Sequence, residues 1–174
     1  MLRKILYIGL LLSLYNTSVQ AEGGENLYLG VQAAQVTYED DLFDVAPGAL
    51  VFRFGGAVDS GAGVEARVGL GLNGLNDTLS SGGIDFEYNL ESLLGLYGVY
   101  NVGWGSTGSF YGALGLTDAK IKEQSIFGIA EVQETSMSVG FGLNVAGFNF
   151  EYMHYLFDTN FDVTAIAFGY VTSF

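Results

Sequence analysis

Two arginines and three glutamates are the residues of this 174-residue chain whose types and spacing could do chemistry. Arg53, Glu65, Arg67 and Glu151 each stand between apolar neighbours, in segments where large and small side chains alternate. Glu91 also alternates with large side chains in its own segment, but it lies nearer the other end of the strands than these four residues. Two guanidinium groups and two carboxylates can neutralise and hydrogen-bond one another when they are withdrawn from water. The set predicts an interior polar cluster, either a gate on an ion path or a plug of salt bridges that replaces a hydrophobic core.

Other chemistries find weaker support in the sequence. No cysteine is present, which removes disulfides, thiol catalysis and cysteine-ligated metals. The spacing G-x-G-x-x-G occurs at 69–74, but no helix pattern follows it, as phosphate binding at a helix N-terminus would require. Acidic residues at 39–44 offer oxygen ligands, yet they lack the spacing of an EF-hand. We therefore predict no catalytic site, no cofactor and no metal site.

The elements that position these residues are strands, because the sequence repeats with a period of two and shows no helical spacing. About eight such segments, each near ten residues long, are separated by clusters of turn residues. The predicted strands are 26–37, 48–58, 62–73, 87–102, 108–118, 134–144, 148–157 and 162–174.

The two faces of these strands differ in a way that decides the fold class. One face carries leucines and aromatic residues, as at Phe52 and Phe54, or Phe148 and Phe150. The other face is rich in glycine and holds a few charges of both signs, which fits a wetted soluble surface badly and a confined interior well. Apolar outside and polar inside is the pattern of a transmembrane β-barrel. We predict an all-β fold, an eight-stranded antiparallel barrel of the outer-membrane type, over a soluble barrel with the faces reversed.

Connection lengths support this fold independently. Compact turns at 59–61, 105–107 and 145–147 follow the second, fourth and sixth strands, whereas the first, third and fifth precede loops of about 11 to 17 residues. Tyr100 and Trp104 stand beside a short turn, where an interfacial aromatic girdle belongs. The chain ends in alternating aromatics up to Phe174, as a last strand would if it closes on the first and keeps its outer face in lipid.

The first residues are interpreted as a secretory signal peptide, residues 1–21, followed by one barrel domain at 22–174. Arg3 and Lys4 precede an apolar run, and Val19-Gln20-Ala21 resembles a cleavage site. Without Arg3 and Lys4, four basic residues face 19 acidic ones, a net charge of −15. A chain so acidic repels phosphate backbones, so nucleic acid is excluded as a partner.

The alternating strands, the stretch SFYGALGLTDAKI at 109–121 and the final IAFGYVTSF resemble the small outer-membrane barrels of the OmpA-like and OmpX-like kind from Gram-negative bacteria. The resemblance implies residence in the outer membrane, contact with its lipid and lipopolysaccharide, and a C-terminal signal read by the barrel-assembly machinery, here Tyr170 and Phe174. Some similar barrels are lipid A deacylases with a His-x-Ser pair. In this sequence His154 is followed by Tyr155 and Leu156, so the serine is missing and hydrolysis is disfavoured.

These observations predict an integral barrel with a structural or adhesin-like surface role and a plugged lumen, and no enzyme. A narrow channel for small solutes and a lipid-modifying enzyme are the alternatives. Ile126, Phe127 and Ile129 in the third loop either form an exposed apolar ridge on a protruding hairpin or pack beneath neighbouring loops. The sequence does not decide between these two arrangements, and it does not identify a surface partner.

Overall fold

The computed structural model describes residues 25–40, 43–72, 77–81, 84–104, 108–125, 127–157 and 161–174. The predicted signal peptide at 1–21 lies outside these residues. Within them, no helix is long and apolar enough to cross a membrane.

The described residues form ten β-strands in one antiparallel sheet. The strands are β1 (Glu25–Asp40), β2 (Phe43–Val45), β3 (Gly48–Val58), β4 (Ala62–Gly71), β5 (Asp77–Ser81), β6 (Ile84–Trp104), β7 (Gly108–Ser125), β8 (Gly128–Val145), β9 (Phe148–Phe157) and β10 (Phe161–Ser173). Eight of them form the wall, since β2 only folds back on β1 and β5 on β6. The sheet closes where β10 pairs with β1, from Tyr28 opposite Ser173 to Asp40 opposite Phe161. The predicted closed barrel of eight antiparallel strands is confirmed.

The strand bounds differ from prediction mainly at the third long connection. The sequence predicts a loop between residues 118 and 134, but β7 continues to Ser125 and β8 begins at Gly128. Lys120 pairs with Gln133 across this stretch. On β7 the outward residues beyond 116 are polar, whereas the inward Ala119 and Ile121 stay apolar. The large apolar outward side chains that mark the predicted strands therefore end here, although the backbone ladder continues.

The barrel is inverted relative to a soluble protein, as the sequence predicts. Outward side chains such as Leu96 and Phe141 are 66% and 65% exposed, whereas the inward Arg67 and Glu65 are each 1% exposed. Exposed apolar residues circle the whole wall and form what we call the belt. An apolar surface of this extent is stable against acyl chains and not against water.

The belt has a defined limit at each end of the barrel. At the end of the short turns, which we call the turn end, aromatic rings cluster: Trp104 lies 4.3 Å from Phe110, and Phe148 stacks on Phe168 at 5.9 Å. At the opposite, outer end, the outward side chains change from Leu116 to Asp118 within one repeat. The apolar band therefore spans the middle of the strands and leaves the outer parts of β6, β7 and β8 beyond it.

The turn between β8 and β9 contains a backbone feature that can be tested. Ala146 adopts φ 50° and Gly147 φ 86°, the left-handed region that suits asparagine and glycine better than alanine. Ala146→Asn is expected to raise the free energy of unfolding by about 1 kcal/mol. Gly147→Ala should lower it by at least as much, because a methyl group there would lie 2.5 Å from the Tyr170 ring. Urea titration in vesicles measures both, and a stabilising Gly147→Ala would contradict this account of the turn.

Candidate functional site

Four charged side chains meet in the middle of the lumen and form what we call the ionic layer. Arg67 donates two parallel hydrogen bonds of 2.7 Å to Glu151, and Arg53 donates two of 2.7 and 3.0 Å to Glu65. Nε of Arg67 also donates to Glu65, and Arg53 lies 3.6 Å from Glu151, so the four groups close a ring. Two positive and two negative charges sum to zero, which buried ions need if they are to be stable.

Tyrosines and an asparagine complete the hydrogen bonding of the ionic layer. The hydroxyl of Tyr28 donates to Glu65 at 2.7 Å, and that of Tyr111 donates to Glu151 at 2.6 Å. Nη1 of Arg53 donates to Tyr111 and to Asn149, at 2.9 and 3.0 Å. Arg67 lies over the Tyr97 ring, 4.5 Å from its centre. Each charged group therefore has several partners, and the layer is a connected network rather than a set of separate pairs.

The glycines of the inward face make room for these rings. A Cβ at Gly55 would lie 2.5 Å from the Tyr28 ring, one at Gly142 2.5 Å from the Tyr111 ring, and one at Gly95 2.4 Å from the Tyr97 ring. Each tyrosine lies flat against a wall position without a side chain. The glycine-rich face seen in the sequence is thus a packing requirement of the network.

Above the ionic layer, toward the outer end, the lumen becomes apolar. The next inward residues on the same strands are Val51 after Arg53 and Met153 after Glu151, both almost fully buried. They belong to a larger buried cluster whose members on this side of the ionic layer include Ala34, Val36, Ala49, Leu90, Leu93, Ala119, Tyr155, Val163 and Ala165. We call this cluster the apolar layer. The sequence pattern predicts an inward face of glycines and a few charges, and it does not predict this layer.

Glu91 requires a correction, since the structure does not place it in the lumen. The pairing of β6 with β7 shifts by one residue between Leu90 and Ser92, a β-bulge. The bulge turns Leu90 inward and Glu91 outward, the reverse of the predicted parity. Glu91 is half exposed and pairs with Lys120 at 3.0 Å. A bulge cannot be read from alternation, because it interrupts the count.

The interior is open at the turn end and filled above it. A cavity of about 460 Å³ opens there, lined among others by Asn101, Ser109 and Asn144, and it stops at Arg53 and Tyr111. Among the residues that the structure describes, both layers lie between this cavity and the outer end. The lumen therefore has the form of a blind vestibule and not of a through path.

Beyond the belt, β6, β7 and β8 continue as a sheet that we call the outer extension, residues 84–91, 118–125 and 128–135. Asp118 accepts hydrogen bonds from Gln133 at 2.9 Å and from Thr135 at 2.7 Å, and Lys120 bridges Glu91 and Glu131. The hydrogen bond from Lys120 lowers the pKa of the Glu131 carboxyl, which lies outside the belt. These contacts link β6, β7 and β8 across the extension.

The tip of the outer extension exposes apolar side chains. Phe127 is 76% exposed, Ile129 60% and Val132 45%. This favours the exposed ridge over the alternative in which these residues pack beneath loops; Ile126 lies outside the described residues. Twelve acidic residues also lie on the outer parts of the strands: two in β1, three in β6, two each in β7 and β8, and one each in β2, β5 and β10.

Comparisons with known proteins support the fold. No family model matches the chain, and no curated protein matches it. Among solved structures, Neisserial surface protein A has a TM-score of 0.63 at 15% identity, with 85% of this chain and 97% of that chain covered. Ail, the attachment invasion locus protein of Yersinia pestis, in complex with the heparin analogue sucrose octasulfate, has a TM-score of 0.60 at 19% identity, with 86% and 100% covered. A second crystal structure of Ail has a TM-score of 0.54 at 18% identity over the same shares.

The chain has the fold of a small outer-membrane barrel. Both matched proteins are covered almost completely, so the barrel accounts for their whole solved length as well as for the described residues here.

Two further residues singled out in the sequence lie at the turn end of this outer-membrane barrel. Tyr170 pairs with Val31 and Phe148 and stands in the aromatic cluster, its ring 5.9 Å from that of Phe148. The amide of Phe174 donates to the carbonyl of Leu27 at 3.0 Å, which ties the last residue to the first strand. Both lie at the seam where the barrel closes, and their role as an assembly signal stays a prediction.

The described part of the barrel holds no group of three or more His, Cys, Asp or Glu residues arranged to bind a metal ion. His154 lies on β9 opposite Val139 of β8 and Thr164 of β10, beside the outward Tyr152. Its position on the belt side of the wall gives it no access to the ionic layer.

Proposed function

We propose that this outer-membrane barrel has a structural and surface-interaction role, adhesin-like in kind, and that it neither conducts solutes nor catalyses a reaction. The observation that carries the proposal is the contrast between a filled lumen and an extension that presents apolar side chains outside the membrane. A rigid wall anchors the protein, and the outer extension is the part that reaches a partner.

The filled lumen argues against the channel. An ion entering from the turn end meets Arg53, which is held by Glu65, Tyr111 and Asn149, and beyond it a layer of mostly apolar side chains. Removing one member of a buried ion pair costs about 3–5 kcal/mol, so a path through the ionic layer would need a large rearrangement. The plug therefore acts as the core of the barrel.

The proposal also includes membrane and export partners. Lipid contacts the belt, and lipopolysaccharide contacts the outer rim. Divalent cations would have to lie between its phosphates and the carboxylates of the rim, because these groups carry the same charge. Export would use residues 1–21 as a signal peptide, and Tyr170 and Phe174 at the seam would be read by the barrel-assembly machinery.

The ligand of the matched Ail structure is not carried over to this chain. That protein was crystallised with a heparin analogue, a highly sulfated sugar. Of the four basic residues after the predicted signal peptide, Arg53 and Arg67 are buried here, and Lys120 is held by two carboxylates. A surface-interaction role agrees with the likeness to these barrels, but a polyanionic ligand does not agree with the charge.

The conductance prediction tests the plug directly. The purified barrel in a planar lipid bilayer is expected to show no steady current, because both layers block the lumen. A porin of known conductance in the same bilayer serves as the control for the recording. Steady nanosiemens currents from the native protein would refute the plug and favour the channel.

A further inference from the structure

We propose that the outer extension binds protein segments that carry both basic and apolar side chains, and that it rejects sulfated and other polyanionic partners. The inference rests on the proposed surface role and names the class of partner.

The tip of the outer extension exposes apolar side chains to water. Ile129 is 60% exposed on the outward face of β8 although it lies beyond the polar limit of the belt, so lipid does not cover it, and Phe127 at the tip is 76% exposed. Large apolar side chains that face water next to polar ones mark a surface that gains free energy when a partner covers it. The partner must therefore supply apolar side chains of its own, which excludes a simple sugar or a free metal ion.

Acidic residues far outnumber basic ones at the same end of the molecule. Twelve acidic residues on the outer strand ends face two basic ones, Lys120 and Lys122. Lys120 contacts Glu91 at 3.0 Å and Glu131 at 2.8 Å, so its charge is already compensated. The resulting field attracts cations and repels polyanions, and it sets both the rate of association and the choice of partner.

Rigidity makes the surface suitable for binding. The extension is a paired ladder, from Glu87 opposite Gln124 on one side to Ser125 opposite Gly128 at the tip, with one interruption at the bulge of Glu91. A partner therefore does not have to order it, which lowers the entropic cost of association. Among the described residues that lie outside the lipid, those of the outer extension combine exposed apolar side chains with surrounding negative charge, opposite in sign to a basic partner.

The test uses the full barrel in nanodiscs of zwitterionic lipid, with empty nanodiscs as the reference for membrane binding. The probes are a 12-residue Lys/Leu peptide, its Glu/Leu counterpart and sucrose octasulfate, followed by surface plasmon resonance. The Lys/Leu peptide is expected to bind, and its affinity to fall when ionic strength is raised, since screening weakens exposed charges. The other two probes are expected not to bind.

Variants assign the binding to the extension. Ile129→Ser should weaken binding of the Lys/Leu peptide about ten-fold, since it removes most of an aliphatic side chain that the bound peptide would bury. Glu131→Gln, on the same face of β8 as Ile129, should weaken it about two- to five-fold. Asp59→Asn removes the same charge at the turn end and should leave the affinity unchanged. The unheated gel mobility of each variant confirms that it is folded.

Each other outcome overturns the inference. Binding of sucrose octasulfate without the Lys/Leu peptide would show a polyanion site and would leave the surface role intact. An Ile129→Ser variant that binds as tightly as the native protein, or an Asp59→Asn variant that binds as weakly as Glu131→Gln, would mean that the peptide only senses net charge. No binding of any probe would remove the proposed partner class. The proposed closed lumen fails separately, in the bilayer recording.

Discussion

Arg67→Met is expected to lower the free energy of unfolding by about 3–5 kcal/mol, the cost of leaving a buried ion without its partner. Glu151 would lose both of its 2.7 Å hydrogen bonds from the guanidinium and would keep only Tyr111 and the more distant Arg53. Urea titration of the barrel in phospholipid vesicles measures the change, with the folded fraction taken from the faster migration of unheated samples on gels.

The double variant Arg67→Met with Glu151→Met separates charge balance from packing. It removes one positive and one negative charge and leaves Arg53 paired with Glu65 at 2.7 Å. Replacing both members of a buried pair by apolar residues of similar volume is often neutral. We expect it to recover most of the stability lost in the single variant. A double variant as unstable as the single one would show that the guanidinium acts through its shape and not through its charge.

Leu114→Arg is expected to destabilise the barrel by about 2–4 kcal/mol, the cost of an arginine on the lipid face near the middle of the membrane. Leu114 lies midway along the belt on β7 and faces outward, 56% exposed. In water such an exposed arginine would cost almost nothing, so the variant tests whether this face meets lipid.

The matched control for Leu114→Arg is Gln124→Arg, on the same strand and exposed beyond the belt. It should change the stability by less than about 0.5 kcal/mol, as surface substitutions ordinarily do. Equal effects at the two positions, or a native protein that folds as a stable monomer in water without lipid or detergent, would contradict the inverted barrel.

The sequence predicts most of the wall because one physical rule governs it. Where lipid lies on one side and a filled lumen on the other, each strand must alternate, and Phe52 with Arg53 or Phe150 with Glu151 shows this directly. The rule fails where either condition ends. Beyond the belt the outward face is polar. There β7 still alternates past residue 118, with Ala119 and Ile121 between polar residues, but it lacks the apolar outward side chains that mark the wall.

The composition of the ionic layer could be predicted, but its connections could not. Parity puts Arg53, Glu65, Arg67 and Glu151 on the inward face. The pairing of Arg67 with Glu151 depends on strands that are far apart in sequence and face each other across the lumen. Glu91 fails for a different reason: one extra residue in the β6 ladder reverses parity, and no side chain announces it.

The single tryptophan of the chain gives the aromatic cluster at the turn end an experimental use. Trp104 is the sole indole, and it is packed against Phe110 at that rim. Its emission during refolding consequently reports the arrival of one rim in the bilayer and is blind to the other. Quenchers attached at known depths along the acyl chain would read how deeply this rim lies in the bilayer from this one native fluorophore, without any label.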